Sequence, residues 1–402
     1  MSDAAYDARD RAESGQSSDQ GSEQSSGPVG LVLSGGGARG AYQVGVLKAV
    51  SEALPGTKAP FAIVTGVSVG AVNTLALVSQ PRDFAGAVAR LEAMWRGMSC
   101  ERVYRTDVRA IMRRLAAWAG SAALGRLGVA PPDSLLDNAP LKELLEEACD
   151  LDAMRGALDD GTLRAVAVTA SDYRTGQAVA FYDAHGAHGH WQRSRRTGLE
   201  VELGVDHVMA STALPLVFPA QRVGDGYFGD GALRQTSPLS PAIHLGAARL
   251  LVIGGRDGAI DAPPARAAEP TYPSTGTIAG QLLDIVFNDH LDADLERLER
   301  VNETLGQMAP DRRAAQSLRR IDVLTLRPSQ DVRQVTAAHI RDMPRTVALL
   351  LRLMGAMKPP YVLPSYLMFE PGYVGALIDL GYADARARAD EIAAFFATSR
   401  RD

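Results

Sequence analysis

The chain has 402 residues, 46% of them apolar, and a net charge of −5. That length suits two domains, or one large domain with an appendage. The negative balance excludes a general attraction to nucleic acid or anionic lipid, and two cysteines, Cys100 and Cys149, exclude a disulfide framework and fit a reducing compartment.

Residues 1 to 27 are Ser, Gly, Gln, Asp and Glu with little to bury, and read as a disordered acidic tail. No apolar stretch follows the first Met, so no secretory signal is expected. No uncharged apolar run reaches the roughly 18 residues that a spanning helix needs. A soluble, cytoplasmic protein is expected, or one peripheral to the inner face of a membrane.

Val29 to Ser34 reads as a buried strand, followed by a helix over Gly40 to Leu54 with Val44, Leu47, Val50 and Leu54 on one face. Phe61 to Thr65 reads as a second strand, and Ala71 to Ser79 as a small apolar helix. A strand followed by a helix, twice, predicts a mainly parallel sheet with helices on its faces. Phe84 to Met98, Val108 to Trp118 and Ala139 to Cys149 read as helices, the last capped by Asp137 or Asn138. Between them, Gly125 to Asn138 is rich in Gly and Pro. Thr162 to Ala170 and Ala178 to Tyr182 read as neighbouring strands around a turn at Asp172 to Gly176. His185, His188 and His190 have the look of a metal set but lack matching Cys or Glu, so a solvated loop is expected there.

Val205 to Ala213 reads as a short helix. Leu214 to Pro219 is apolar but barred from regular helix by its prolines. Gly224 to Ala232 reads as a hairpin and a tight loop, and Arg249 to Gly254 as a strand. Asp261 to Thr275 is a Pro- and Ala-rich linker. Beyond it, Ile278 to Leu305 reads as one long helix with an apolar stripe at Leu282, Ile285, Val286, Leu295, Leu298 and Leu305. Ile321 to Leu326 reads as a last strand. Pro344 to Met357 and Tyr373 to Phe396 read as helices around a bend at Pro359 to Tyr366. Met343 to Met354, apolar with flanking cations, suits either a membrane face or a cap on the core.

Two glycine-rich stretches carry the chemistry. Gly66-Val67-Ser68-Val69-Gly70 fits Gly-x-Ser-x-Gly, the tight strand-to-helix turn that exposes a nucleophilic serine. Gly35-Gly36-Gly37-Ala38-Arg39-Gly40 offers bare amides at a helix start, where negative charge is favoured. It also satisfies the dinucleotide fingerprint. That reading wants an acidic residue at the end of the next strand, where this chain delivers Ser68. An oxyanion hole from the N–H groups of Gly35, Gly36 and Gly37 is preferred, with Arg39 adding charge or holding the loop in shape. Ser68 needs a base. Asp230, flanked by Gly229 and Gly231, stands in a small-residue turn after a strand, whereas His244, His290 and His339 do not. It is either a turn former or the general base of a site without histidine.

These blocks, with Asp230-Gly231-Ala232, resemble the three signature blocks of patatin-like phospholipases in that family's order. Ala210-Ser211-Thr212-Ala213-Leu214-Pro215-Leu216-Val217-Phe218-Pro219 is similar to the family's Ala-Ser-x-Ala-x-Pro-x-x-Phe-x-Pro stretch. The resemblance covers Val29 to Gly254, and Ala232 stands where the family commonly has Gly. It implies a three-layer α/β/α fold with a mainly parallel sheet, and a Ser-Asp dyad that cleaves lipid acyl esters without metal or cofactor. By it Ser68 is the nucleophile, Asp230 the base, Gly35 to Gly37 with Arg39 the oxyanion hole, and Gly40, Gly66, Gly70, Gly231 and Ala232 the motif frame. Leu214, Pro215 and Phe218 are candidate acyl-groove residues. The expected partner is a lipid or phospholipid at a membrane or micelle. The expected layout is the tail to residue 27, a catalytic domain over 28 to 260, and a mostly helical C-terminal extension over 261 to 402. Two alternatives stay open: a nucleotide-binding protein using Gly35 to Gly40, and a catalytically silent lipid-binding scaffold.

Overall fold

The computed structural model describes residues 27–107, 109, 113, 116–117, 133–186, 189–256 and 272–397. The expected acidic tail, save its last residue, lies outside the described residues. So do His188, most of the helix expected over 108 to 118, the start of the Gly- and Pro-rich stretch, and the linker as far as residue 271.

Val29–Leu33 (β1), Ile63–Val67 (β2), Ala165–Asp172 (β3) and Arg249–Ile253 (β9) are buried along their whole length. Runs that are apolar throughout, not alternating, mark strands covered on both faces. Between β3 and β9 come β4 (Ala178–Ala184), β5 (Trp191–Arg193), β6 (Arg196–Glu200), β7 (Gln221–Val223) and β8 (Gly226–Asp230). Asp322–Leu326 (β10) closes the other edge. The centre is parallel in the order β10-β9-β1-β2-β3; β4 then pairs antiparallel with β3, and β6 and β5 extend that side.

Helices that position the site are α1 (Ala41–Ala53), α2 (Val69–Val78), α3 (Phe84–Arg96), α4 (Val205–Thr212), α5 (Ser240–His244), α6 (Thr275–Asp284), α7 (His290–Gln307), α8 (Arg345–Leu353), α9 (Val362–Leu367) and α10 (Pro371–Arg386). Successive strand residues point to opposite faces. Leu31, Leu33, Val64, Val166, Leu251 and Ile253 enter a large core with α1, α2, α3 and α10. Val32, Ile63, Ala165, Ala167, Leu250 and Val252 enter a smaller one with α5 and α7. The fold is three layers, α/β/α.

One local expectation is decided between its two candidates, and two change. The helix before Cys149 is capped by Asp137, whose Oδ1 accepts the Ala139 N–H at 3.0 Å; the Asn138 side chain caps nothing. Tyr373 to Phe396 is two helices, α10 and a second over Ala389–Ala397. The long helix expected from Ile278 to Leu305 is α6 and α7 joined by a π-helical turn over Ile285–Asp289. A π turn adds a residue, which rotates the downstream helix by about 100° against a straight one. Leu291, Leu295 and Leu298 of α7 face the smaller core, while Leu282 and Ile285 of the expected stripe are exposed.

Candidate active site

Two strands approach the same edge of β3 from opposite directions. β2 runs parallel to β3 and ends with Val67 opposite Thr169. β8 runs antiparallel to it and ends with Asp230 opposite Ala170. Adjacent positions of β3 therefore hold the tips of both strands. Ser68 follows one tip and Asp230 is the other, so two residues 162 positions apart in the chain are brought to one point.

Ser68 sits in the left-handed region, φ 54 and ψ −125, a strained geometry for a residue with a side chain. Its neighbours allow it. A Cβ on Gly66 would lie 2.2 Å from the Gly70 carbonyl oxygen, and one on Gly70 would lie 2.2 Å from that of Leu33. The Ser68 N–H donates to Ser211 Oγ at 2.8 Å, and Ser211 Oγ donates to the Thr169 carbonyl at 2.6 Å. Ser211 thus ties the turn to β3; its residue type gave no sign of this work.

Asp230 is buried. Its Oδ1 accepts the Ala232 N–H at 2.9 Å, and Gly231 is required because a Cβ there would lie 2.0 Å from the Thr169 carbonyl. Oδ2 has no hydrogen-bond partner of good geometry. The Ser68 hydroxyl stands near enough to pull the carboxyl pKa down, yet outside the limits of a full bond. Catalytic pairs without substrate are commonly this loose. Burial outweighs that pull and pushes the Asp230 pKa up to about 7, because the charged form loses its water.

The glycine loop lies against this pair. A Cβ on Gly35 would stand 3.3 Å from Ser68 Cβ, and one on Gly40 would stand 2.6 Å from Val69 Cγ2. Gly36 and Gly37 have φ 150 and 55. No acceptor among the described residues takes the N–H groups of Gly35, Gly36 or Gly37. Beneath the loop a buried polar chain fixes its shape. Trp95 Nε1 donates to Asn73 Oδ1, Asn73 Nδ2 to the Gly40 carbonyl and Gln43 Oε1, and Gln43 Nε2 to the Ser34 carbonyl.

Arg39 is turned elsewhere. Its Nε and Nη2 donate to Ser365 Oγ at 3.0 and 2.7 Å, Nη1 donates to Asp284 Oδ1 at 3.1 Å, and the guanidinium stacks 3.9 Å from the Tyr366 ring centre. Tyr366 also donates to Asp284 Oδ1. With every nitrogen engaged, Arg39 holds the loop to the C-terminal segments. Asp284→Ala strips the hydrogen-bonded carboxylate from this buried cation. It should destabilise the protein by about 2–4 kcal/mol, read as a lowered urea midpoint with an unchanged slope.

A cavity opens over Ser68 and Asp230, lined by these two and Gly37 with apolar side chains that include Val72, Trp95, Leu214, Phe218, Phe287, Tyr366, Leu367 and Phe369. Leu214 and Phe218 of the expected groove line it; Pro215 does not. Phe287, on the π turn, presses on Gly35, its Cδ1 being 2.5 Å from where a Cβ would be, and stacks on Tyr366. Among the described residues no histidine lines this cavity; His290 lines a small neighbouring one with Ser34 and Gly35. His185 Nδ1 bonds the Leu158 carbonyl, and no group of three or more metal-ligating side chains occurs among the described residues.

A family model for patatin-like phospholipase matches residues 31–243, just over half of the chain. A cGAMP-activated phospholipase of Pseudomonas aeruginosa is 30% identical over 215 residues, which are 53% of this chain and 55% of that protein. Lysophospholipase nte1 of Aspergillus terreus is 43% identical over 77 residues, 17% of this chain and 5% of that protein. The chain thus spans about half the length of the bacterial relative and a small part of the fungal one. Among solved structures, human GIVD cytosolic phospholipase A2 with a fluorophosphonate inhibitor is similar at 13% identity and TM-score 0.43, covering 93% of this chain and 59% of that one. VipD from Legionella pneumophila is similar at 12% identity and TM-score 0.37, covering 90% and 67%.

Proposed function

The chain belongs to the patatin-like phospholipase family, and on that premise we propose that it is a serine lipid acyl hydrolase working through a Ser68–Asp230 dyad and an acyl-enzyme. The observation that carries this reading is the meeting of β2 and β8 on β3, which gives one alcohol and one buried carboxylate a common apolar cavity.

The steps follow from the groups present. Ionised Asp230 takes the proton of Ser68 Oγ as that oxygen attacks the ester carbonyl carbon. The carbonyl oxygen becomes an oxyanion and accepts from the free amides of Gly35 to Gly37. As the tetrahedral adduct collapses, the alcohol half of the lipid leaves with the proton held on Asp230. Water enters and gives a proton back to Asp230 while its oxygen attacks the acyl carbon. The fatty acid departs, and Ser68 regains its proton. The cavity's aromatic and aliphatic walls suit a fatty chain and exclude bulk water. Residues 28 to 260 supply the reacting groups, and the extension after residue 261 supplies the wall at Phe287, Tyr366 and Phe369. Two free thiols fit a cytoplasmic setting.

The nucleotide reading fares worse. A pyrophosphate on the glycine loop would need the space that Phe287 and the Tyr366 carbonyl occupy. Mass spectrometry of a mixed phospholipid extract incubated with the protein tests the proposal. Free fatty acid and lyso-lipid should accumulate together; an unchanged extract, with the protein folded, would rule out the hydrolase and leave the scaffold.

A further inference from the structure

Exposed large apolar side chains gather in one part of the molecule. Ile278, Leu282 and Ile285 are 46%, 57% and 47% exposed, and Leu349 and Leu353 are 47% and 68% exposed. Along α6 and the first residue of the π turn, these three fall at i, i+4 and i+7, one helical face. On α8 the exposed residues are Arg345, Leu349, Arg352 and Leu353, again one face, while Val347, Ala348, Leu350 and Leu351 point inward. The start of α6 packs on the turn that follows α8. The Gly276 N–H donates to the Met354 carbonyl at 2.7 Å, and a Cβ on Gly276 would lie 2.5 Å from that of Ala356.

The charge on this surface has one sign. From 272 to 283 the chain carries no charged residue. Arg345, Arg352 and Lys358, on and just beyond α8, have no carboxylate partner among the described residues. Leucine and isoleucine projecting among unpaired cations suit the boundary between anionic headgroups and acyl chains.

In sequence the exposed face leads to the cavity. Ile285 is two residues before Phe287, which caps Gly35 beside Ser68. On the cavity's other wall Leu216, between Leu214 and Phe218, stands 62% exposed. We propose that the outer faces of α6 and α8 are the docking surface for an anionic phospholipid bilayer, which sets the membrane at the mouth of the Ser68 cavity. The use of that mouth rests on Ser68 as nucleophile; the docking itself does not.

Full-length protein is co-sedimented with diether phosphatidylcholine vesicles, with and without one-third diether phosphatidylglycerol. Ether lipids offer no ester, so binding is read apart from turnover. Wild type should bind, and better with phosphatidylglycerol. I278N/L282N should bind at least about tenfold more weakly and hydrolyse ester-lipid vesicles correspondingly more slowly, while keeping its rate on soluble p-nitrophenyl butyrate. R345Q/R352Q should lose about fivefold per charge on anionic vesicles only. L349N/L353N is the substitute if the first variant fails to fold. Wild-type binding retained by these variants, or no binding by wild type, overturns the proposal. So does a changed oligomeric state with unchanged vesicle binding, which would make the face a contact between copies. Vesicle binding as expected with no ester hydrolysis anywhere would remove the nucleophile and leave the docking surface standing.

Discussion

Ser68→Ala is expected to reduce ester hydrolysis by about 10⁴–10⁶, to the background that binding and the oxyanion amides alone sustain. Labelling by a fluorophosphonate probe should vanish with it, since the probe needs the alkoxide. The fold should survive, because the Ser68 hydroxyl makes no full hydrogen bond and only its backbone N–H ties the turn to Ser211. A second substitution separates chemistry from strain. Ala keeps a Cβ at φ 54, whereas Ser68→Gly removes it, and should raise stability by about 1 kcal/mol. Both variants should be equally inactive. If Ser68→Ala retains more than a small fraction of wild-type turnover, another group attacks the ester. If Ser68→Gly is no more stable than Ser68→Ala, the turn carries no strain to release.

The site was legible in the sequence where backbone crowding dictates residue type. Gly66, Gly70 and Gly231 each leave no room for a Cβ against a carbonyl, so glycine marks those places whatever the rest of the chain does. The β-like runs before Ser68 and before Asp230 were legible for the same local reason. The link between them was not. The register that sets Val67 and Asp230 on adjacent residues of β3 is a tertiary fact, invisible to periodicity. Ser211, Asn73 and Gln43 act through ordinary hydrogen bonds that any serine or amide could make. The C-terminal wall was hidden because its helical run carries two apolar faces. At 100° per residue Leu295 and Leu298 lie about 140–160° round a straight helix from Leu282. Leu282 and Ile285 are exposed, while Leu295 and Leu298 pack on the smaller core. Spacing cannot tell a buried stripe from an exposed one when both are apolar.

Turnover should rise with pH along a single ionisation near 7 and level off about one unit above it. Asp230 works only as the carboxylate, and burial holds its pKa at about 7. Below that pH most molecules carry the proton already and cannot accept another from Ser68. Asp230→Asn should lower kcat/KM by about 10³ or more and abolish the pH step. Stability gives an independent check with a fixed sign. In the unfolded chain this carboxyl ionises in the ordinary range near 4, so between about 4 and 7 the folded state binds more protons than the unfolded one. The contribution of Asp230 to stability therefore falls as pH rises through that window and stays low above it. Asparagine does not titrate and loses nothing there. Asp230→Asn should match wild type near pH 4 and be the more stable protein at pH 8, by an amount approaching 3–4 kcal/mol at most, at about 1.4 kcal/mol for each pH unit that separates the folded and unfolded ionisations. A carboxylate that served only to form the turn would give the opposite result, a variant weaker at every pH. Melting curves of both proteins at pH 4, 6 and 8 distinguish the two, and a gap that does not widen with pH excludes the buried base.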